Sequence, residues 1–200
     1  MYIIMDMGTT HTRLWLQQAD KTVASSVLDF GAGKGRLEGR EALYSSLRKA
    51  LLELIEKHLQ KEKDIECIIT SGMAGSEFGI SETNHILIPA GAAELANYAR
   101  ETVIPEITVI PLVIIPGLKK TSGDKYTDMM RGEETETLGN LQSIKSAEDA
   151  VIMLPGTHNK LIKISEGKIC DFVTTMSGEI LKSVITGTIL RGQVSHVFSV

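Results

Sequence analysis

One local pattern occurs twice in this chain, and it constrains the fold more than any other feature. Near the start, Ile3 and Ile4 lead through Asp6 into Gly8, Thr9 and Thr10, then into an alternating strand, Thr12 to Gln17. About three quarters of the chain later, Val151, Ile152 and Met153 lead through Pro155 into Gly156, Thr157 and His158, then into Lys160 to Ser165. Each copy reads strand, Gly-Thr turn, strand. Such a turn gathers backbone N–H groups and hydroxyls at one spot, and glycine lets a ligand approach the backbone closely, which suits a phosphate. The repeat predicts two related halves whose turns face each other across a cleft and grip a nucleotide's phosphates.

The remaining pattern supports that layout. Met1 to Asp6, Thr12 to Gln17 and Thr22 to Phe30 read as an antiparallel meander. Gly31 to Gly39, with four glycines, reads as a loop. From Arg40 to Gln60, Leu43, Leu47, Leu51, Leu54 and Leu59 recur at helical spacing between charges, an amphipathic helix. A strand over Ile65 to Thr70 enters the glycine-bearing turn Ser71 to Ser76, where open sheets commonly hold ligands. A helix over Ala92 to Arg100 and a strand over Thr108 to Ile115 follow. Three antiparallel strands, then helix, strand, helix, strand, is the order of a ribonuclease-H-like half. Val151 to Thr174 restarts the meander, and Ser177 to Leu190 reads as a helix with Ser177 as cap and Glu179 in its first turn. The predicted fold class is α/β, with a first domain over 1–145 carrying the connecting helix and a second, incomplete one over 146–200.

Composition narrows the function classes. At 42% hydrophobic, 200 residues bury a good core. Acidic residues outnumber basic ones 25 to 21, a net charge of −4, which disfavours a protein built to hold nucleic acid. Cys67 and Cys170 sit in apolar runs without a second ligand at metal spacing, so buried thiols in a reducing compartment are expected. Asp6 interrupts what a signal peptide would keep apolar, and the longest greasy stretch, Ile107 to Ile115, is short and broken by Pro111. The expectation is a cytoplasmic protein without membrane or nucleic-acid partners. An incomplete second sheet would leave edges and apolar surface prone to self-association, so a homo-oligomer is compatible with the sequence.

The chemistry concentrates between the halves. Met129 to Glu136 places paired carboxylates, Glu133 and Glu134, just after Arg131 and Gly132, at the start of a helix reaching Leu141. A carboxylate there can take the proton of a hydroxyl attacking phosphorus, and an arginine fork can hold a substrate carboxylate through two parallel bonds. Taken as residues alone, Arg131 equally reads as a solvated arginine and the two glutamates as first-turn acids favoured by the helix dipole. Asp128 is a rival base.

Taken together, MRGEET at Met130 to Thr135 after Met129, PGTH with a following lysine at Pro155 to Lys160, and a serine variant of MTGE at Met176 to Glu179 identify a specific likeness. DxGTT at Asp6 to Thr10 with Arg13, the MAGS turn at Met73 to Ser76 and the IPG at Ile115 to Gly117 support it. The chain resembles the 2-dehydro-3-deoxygalactonokinase family over almost its whole length. Met7 and Thr9 depart from the family's aromatic residue and serine. The resemblance implies an actin-like ATPase fold and ATP-dependent phosphorylation of 2-dehydro-3-deoxy-D-galactonate at its 6-hydroxyl, a step of galactonate breakdown. The family continues with further strands and helices, so it also implies an incomplete second half, with a kinase fragment or a non-catalytic sugar-acid-binding protein as the alternative function.

On that reading the cofactors are ATP and Mg²⁺. Asp6 holds the Mg²⁺ through water and steers the γ-phosphate, although aspartate also marks ordinary turns. Gly8, Thr9, Thr10, Gly156, Thr157 and His158 contact the nucleotide. Arg131, Gly132, Lys160, Gly72 and Met73 contact the sugar acid, and Glu133 or Glu134 is the base. His158 and Lys160 equally read as a strand-edge histidine and a solvated lysine. Glu179 with Gly178 is a further candidate beside a nucleotide phosphate or ribose. Trp15 reads as packing, His58 as structural, and His11 as a turn residue.

Overall fold

Ile3, Met5 and Met7 alternate with Ile4 and Asp6 along β1 (Tyr2–Met7), and the two sets go to opposite faces of a sheet. The computed structural model describes residues 1–58, 61–122, 126–141 and 149–188. β1 pairs antiparallel with β2 (Thr12–Gln18), which pairs with β3 (Lys21–Leu28). On its other edge β1 pairs parallel with β4 (Ile68–Gly72), reached through helices α1 (Ala32–Glu38) and α2 (Arg40–Lys57). The apolar stripe Leu43, Leu47, Leu51 and Leu54 of α2 packs on the face that carries Ile3, Met5, Leu14 and Leu16. Each fully buried chain of this size contributes about 2 kcal/mol. The opposite face of β1, β2 and β4 is left to a cleft.

After β5 (Ile86–Leu87), α3 (Ala92–Asn97) and β6 (Arg100–Ile104), strand β7 (Thr108–Ile114) joins β4 in parallel, giving a six-stranded sheet of order β3-β2-β1-β4-β7-β6. β5 instead lies parallel to β8 (Leu118–Ser122), which forms a hairpin with β9 (Tyr126–Met130). Helix α4 (Glu133–Leu141) follows directly.

The meander then restarts as β10 (Asp149–Leu154), β11 (Asn159–Ser165) and β12 (Lys168–Thr175), followed by α5 (Ser177–Gly187). The repeat extends to single hydrogen bonds. Gly33 N–H at the start of α1 donates to Thr9 O at 2.8 Å, and Glu179 N–H at the start of α5 donates to Thr157 O at 2.9 Å. Met5 pairs with Leu14 three residues before the first turn glycine, and Met153 with Leu161 three residues before the second. In the first half that face is fully buried, whereas Val151, Met153, Leu161 and Val173 are 45–65% exposed. The other face, with Ile162, Ile164 and Phe172, packs on Leu118 and Met130 of the β8–β9 hairpin.

Several ties join β12 to the preceding segments, among them ion pairs from Lys168 to Glu94 and from Asp171 to Lys120. Ala90 and Ile169 exchange backbone hydrogen bonds of 3.1 and 2.9 Å. Near the other end, the Asp128 carboxylate accepts from Thr174 N–H at 2.9 Å and Thr174 Oγ1–H at 2.6 Å, while Lys160 Nζ donates to Met129 O at 2.6 Å.

Several expectations need correction. The glycine-rich stretch from Gly31 to Gly39 contains α1 rather than a loop, because Ala32 and Gly33 are pinned to Gly8 O and Thr9 O and this anchoring outweighs the weak helix propensity of glycine. The helix from Ala92 stops at Asn97, and Arg100–Ile104 becomes an edge strand, since Thr102, Val103 and Ile104 suit the ladder offered by β7. The long helix ends at Lys57, with Leu59 and Gln60 outside the described residues. Cys67 and Cys170 are partly exposed rather than buried, Cys67 lying just before β4. His196, the end of the last expected helix and both sides of the 145/146 boundary lie outside the described residues.

Candidate functional site

The face of the first sheet opposite α2, the β4 turn, the start of α4 and one edge of the second half enclose a cleft of about 950 Å³. Alternation explains its floor. Ile4 and Asp6 on β1, Trp15 on β2 and Ser71 on β4 all point there because their neighbours fill the core. Asp6 is the last but one residue of β1, and its carboxylate accepts from Arg13 Nη1 at 3.3 Å across the register pair Asp6–Arg13. Gly8 and Thr9 continue the lining.

The turn after β4 comes against this point. Gly72 has φ +71°, and a Cβ there would lie 2.5 Å from Met7 O and 3.1 Å from Asp6 Oδ1. Gly132, with φ +110°, faces it so closely that its own Cβ would lie 3.1 Å from Gly72 Cα. Glycine at both positions lets the turn before α4, the hinge between the two expected halves, and the β4 turn meet beside Asp6.

At the hinge the two carboxylates separate. Glu133 borders the cleft and accepts from Arg131 N–H at 3.0 Å. Glu134 is 0% exposed, lies outside the cleft lining, and accepts from Gly132 N–H at 2.8 Å with both oxygens. Burial pushes its carboxyl up to about 7, against the hydrogen bonds and the Arg131 charge. The Arg131 guanidinium is held by Thr83: Nη1 donates to Thr83 Oγ1 and Nη2 to Thr83 O, both at 2.9 Å. Nη2 also lies 3.3 Å from His85 Nδ1. Burial, then the Arg131 and Lys119 charges, bring the His85 imidazole down to about 4. A neutral ring accepts from Arg131 at Nδ1, so both Nη2 protons are engaged and neither fork of the guanidinium is intact for two parallel bonds.

On the opposite wall, His158 Nε2 meets Glu179 Oε2 at 2.8 Å, and Lys160 reaches the cleft edge while donating to Met129 O and to Thr174 Oγ1 at 2.7 Å. Asp128, the rival base, is 8% exposed and committed to Thr174 and to Met129 N–H. Burial raises its carboxyl, but those hydrogen bonds and the Lys160 charge outweigh this and leave it below its ordinary value.

The cleft thus brings together Asp6, Gly8, Thr9, Gly72, Met73, Arg131, Gly132, Glu133, His158 and Lys160 of the residues expected from sequence. Thr10, Gly156 and Thr157 lie beside it in exposed turns, and Glu134 lies behind it. Thr83, His85, Lys119 and Trp15 border the site without having been read as site residues. Trp15 was recoverable, since it shares the parity of Arg13. Thr83 and His85 sit in an irregular stretch whose sequence carries no period.

Among the described residues no group of three His, Cys, Asp or Glu side chains is placed to hold a metal ion. Mg²⁺ in phosphoryl-transfer sites keeps several waters and takes phosphate oxygens with one or two carboxylates, and the part-exposed Asp6 beside a Gly-Thr turn fits that demand.

A repeated meander carrying paired Gly-Thr turns on either side of a cleft defines an actin-like, ribonuclease-H-like kinase and ATPase fold. The chain belongs to the 2-keto-3-deoxy-galactonokinase family, whose model matches residues 6–197. It is 31% identical over 197 residues to a Rhizobium meliloti (strain 1021) protein named probable 2-dehydro-3-deoxygalactonokinase DgoK1, covering 98% of this chain and 60% of that one. It is 30% identical over 181 residues to the Escherichia coli (strain K12) 2-dehydro-3-deoxygalactonokinase, covering 90% and 54%. A crystal structure of a Sinorhizobium meliloti protein described as a 2-dehydro-3-deoxygalactonokinase superposes with TM-score 0.76 at 29% identity, covering 99% of this chain and 62% of that chain. A Porphyromonas gingivalis protein described as an N-acetylglucosamine kinase shares the fold at TM-score 0.54 and 16% identity, covering 96% and 57%. The chain therefore spans little more than half the length of the curated relatives it matches.

Proposed function

We propose that this chain works as a 2-dehydro-3-deoxygalactonokinase, transferring the γ-phosphate of ATP to the 6-hydroxyl of 2-dehydro-3-deoxy-D-galactonate in galactonate breakdown. The observation that carries the reading is the single cleft in which Asp6 and the Gly8–Thr9 turn meet the Arg131–Glu133 hinge. The nucleotide phosphates lie between the two Gly-Thr turns, with His158 at the second. The sugar acid lies over Gly72 and Met73, its carboxylate toward Arg131 and its distal hydroxyl toward Asp6.

The chemistry asks mainly for positioning. Glu133, on the cleft side of the hinge, orients the 6-hydroxyl and takes its proton as that oxygen bonds to the γ-phosphorus and the bond to the β-phosphate oxygen breaks. Mg²⁺, when bound, neutralises charge on the phosphate oxygens. Asp6 would hold it, and Arg13 keeps the Asp6 carboxylate in place. Glu134, bonded to Gly132 N–H behind the cleft, fixes the hinge turn. Residues 1–145 then form the sugar-acid half and 146–200 the start of the nucleotide half. A reducing cytoplasm suits the two unpaired thiols.

The test is coupled ADP release with Mg-ATP and 2-dehydro-3-deoxygalactonate, its gluconate epimer, or no sugar acid. Turnover is expected only with a sugar acid, lost with Arg131→Ala and lowered about 100-fold or more with Glu133→Gln. The alternative reading is a sugar-acid-binding protein without turnover. Tight calorimetric binding of the sugar acid without ADP release would establish that reading instead.

A further inference from the structure

The cleft is short of available positive charge. Asp6, Glu77, Glu82, Glu133 and Glu136 line it against three cations. Of these, Lys160 is 4% exposed and bonded to Met129 O and Thr174 Oγ1, and Arg131 is held by Thr83 and His85. Lys119 alone of the three has no hydrogen-bond or ion-pair partner among the described residues.

Strand register says what surrounds it. Lys119 pairs with Leu87 on β5 and with Met129 on β9, so these three stand in one row on one face of the small sheet. His85, Gly117 and Arg131 lie two positions further on with the same parity, just past the last paired residues Ile86, Leu118 and Met130. The His85 ring crosses Gly117 so closely that a Cβ there would lie 2.6 and 2.9 Å from two ring atoms, and this bare position lets the ring reach Arg131. Lys119 is therefore the diagonal neighbour of both His85 and Arg131 on the wall of the cleft. Its ammonium lowers the affinity of the imidazole for a proton, as does Arg131. A neutral His85 that accepts from Arg131 at Nδ1 carries its own proton on Nε2.

We propose that Lys119 is the specificity-determining residue that binds the carboxylate of the sugar acid, with Arg131 as a positioning residue whose guanidinium is pinned beside it. The inference rests on the sugar-acid reading above and refines it. Among the described residues an ammonium at the end of a flexible stem is the one free countercharge in an otherwise acidic cleft, and it discriminates an acid from the corresponding neutral sugar. Met129, its cross-strand neighbour on the same face, covers the deoxygenated carbon near the carboxylate with apolar surface.

The experiment is calorimetric titration of the full chain, wild type, Lys119→Met and Lys119→Arg, with 2-dehydro-3-deoxygalactonate, its C1 amide, and a non-hydrolysable Mg-ATP analogue. Loss of a charge-assisted hydrogen bond predicts about 30-fold weaker binding of the acid to Lys119→Met. The amide and the nucleotide should bind it as they bind wild type, and Lys119→Arg should restore most of the affinity. Thermal melts matching wild type confirm that both variants fold. Unchanged acid binding by Lys119→Met, equal loss for acid and amide, or a loss confined to the nucleotide would each overturn the assignment while leaving the sugar-acid reading in place. Failure of the wild type itself to bind the acid would overturn that reading and the assignment with it.

Discussion

Glu134→Gln separates a buried structural carboxyl from Glu133, the base of the proposed reaction. The Glu134 carboxyl is 0% exposed, and burial carries it from 4.5 to about 7. Because the folded value lies above the unfolded one, the folded chain holds the proton more tightly. The stabilisation is complete below about pH 4.5, declines as pH rises, and is gone above about pH 7. At about 1.4 kcal/mol per unit, a displacement of about 2.5 units is worth about 3 kcal/mol. Glutamine is neutral throughout and its Oε1 can still accept from Gly132 N–H. The variant and the parent should therefore melt together near pH 5, and the variant should melt about 6–12 °C higher near pH 8. The assay is differential scanning calorimetry of both proteins across that range, with ADP release measured alongside. Turnover should survive in Glu134→Gln and fall in Glu133→Gln. A melting gap that does not widen with pH, together with loss of turnover as deep as that of Glu133→Gln, would refute the reasoning.

Asp128→Ala removes the acceptor for Thr174 N–H, Thr174 Oγ1–H and Met129 N–H beside the Lys160 ammonium, and should cost about 2–4 kcal/mol in urea titrations at pH 7. Since this carboxyl lies below its ordinary value in the folded chain, the advantage of the parent should shrink as pH falls through the acid range; a gap constant down to pH 3 would refute the role. Trp15, the sole tryptophan, faces the cleft, so Mg-ATP or the sugar acid should shift its emission, and Trp15→Phe should abolish the signal. Calorimetric binding without an emission change would remove Trp15 from the binding surface.

Where residues repeat with a period, the sequence disclosed the structure: Ile3, Met5 and Met7 against Ile4 and Asp6, the leucines of α2, and the two Gly-Thr turns. The element over Ala32–Glu38 escaped because its glycines read as a breaker while two backbone bonds to Gly8 and Thr9 hold them helical. The edge strand β6 escaped although β7 follows after only Pro105, Glu106 and Ile107, because Thr102, Val103 and Ile104 are too short a run to set a period. At the site, the motif Met130 to Thr135 pointed to a turn that borders the cleft. Adjacent residues at a helix start nevertheless project in different directions, so sequence left Glu133 and Glu134 open where the fold puts one on the cleft and one behind it. Lys119 and His85 become neighbours only through the pairing of β5, β8 and β9, which no spacing along the chain reveals.

The ties along β12 have a mechanical meaning. Ile169 is held to Ala90, and Thr174, five residues along the same strand and about 17 Å away, is held to Asp128. The ion pairs of Lys168 with Glu94 and of Asp171 with Lys120 lie on the same strand. Fixed points along one strand are the pins of a door. A swing of the second half that keeps them must roll about β12 as its axle and stretch the off-axis bond from Lys160 to Met129 O, carrying the Gly156–Thr157 turn on a short lever toward or away from Gly8. Sliding along the axle, or splaying across it, breaks one pin or another.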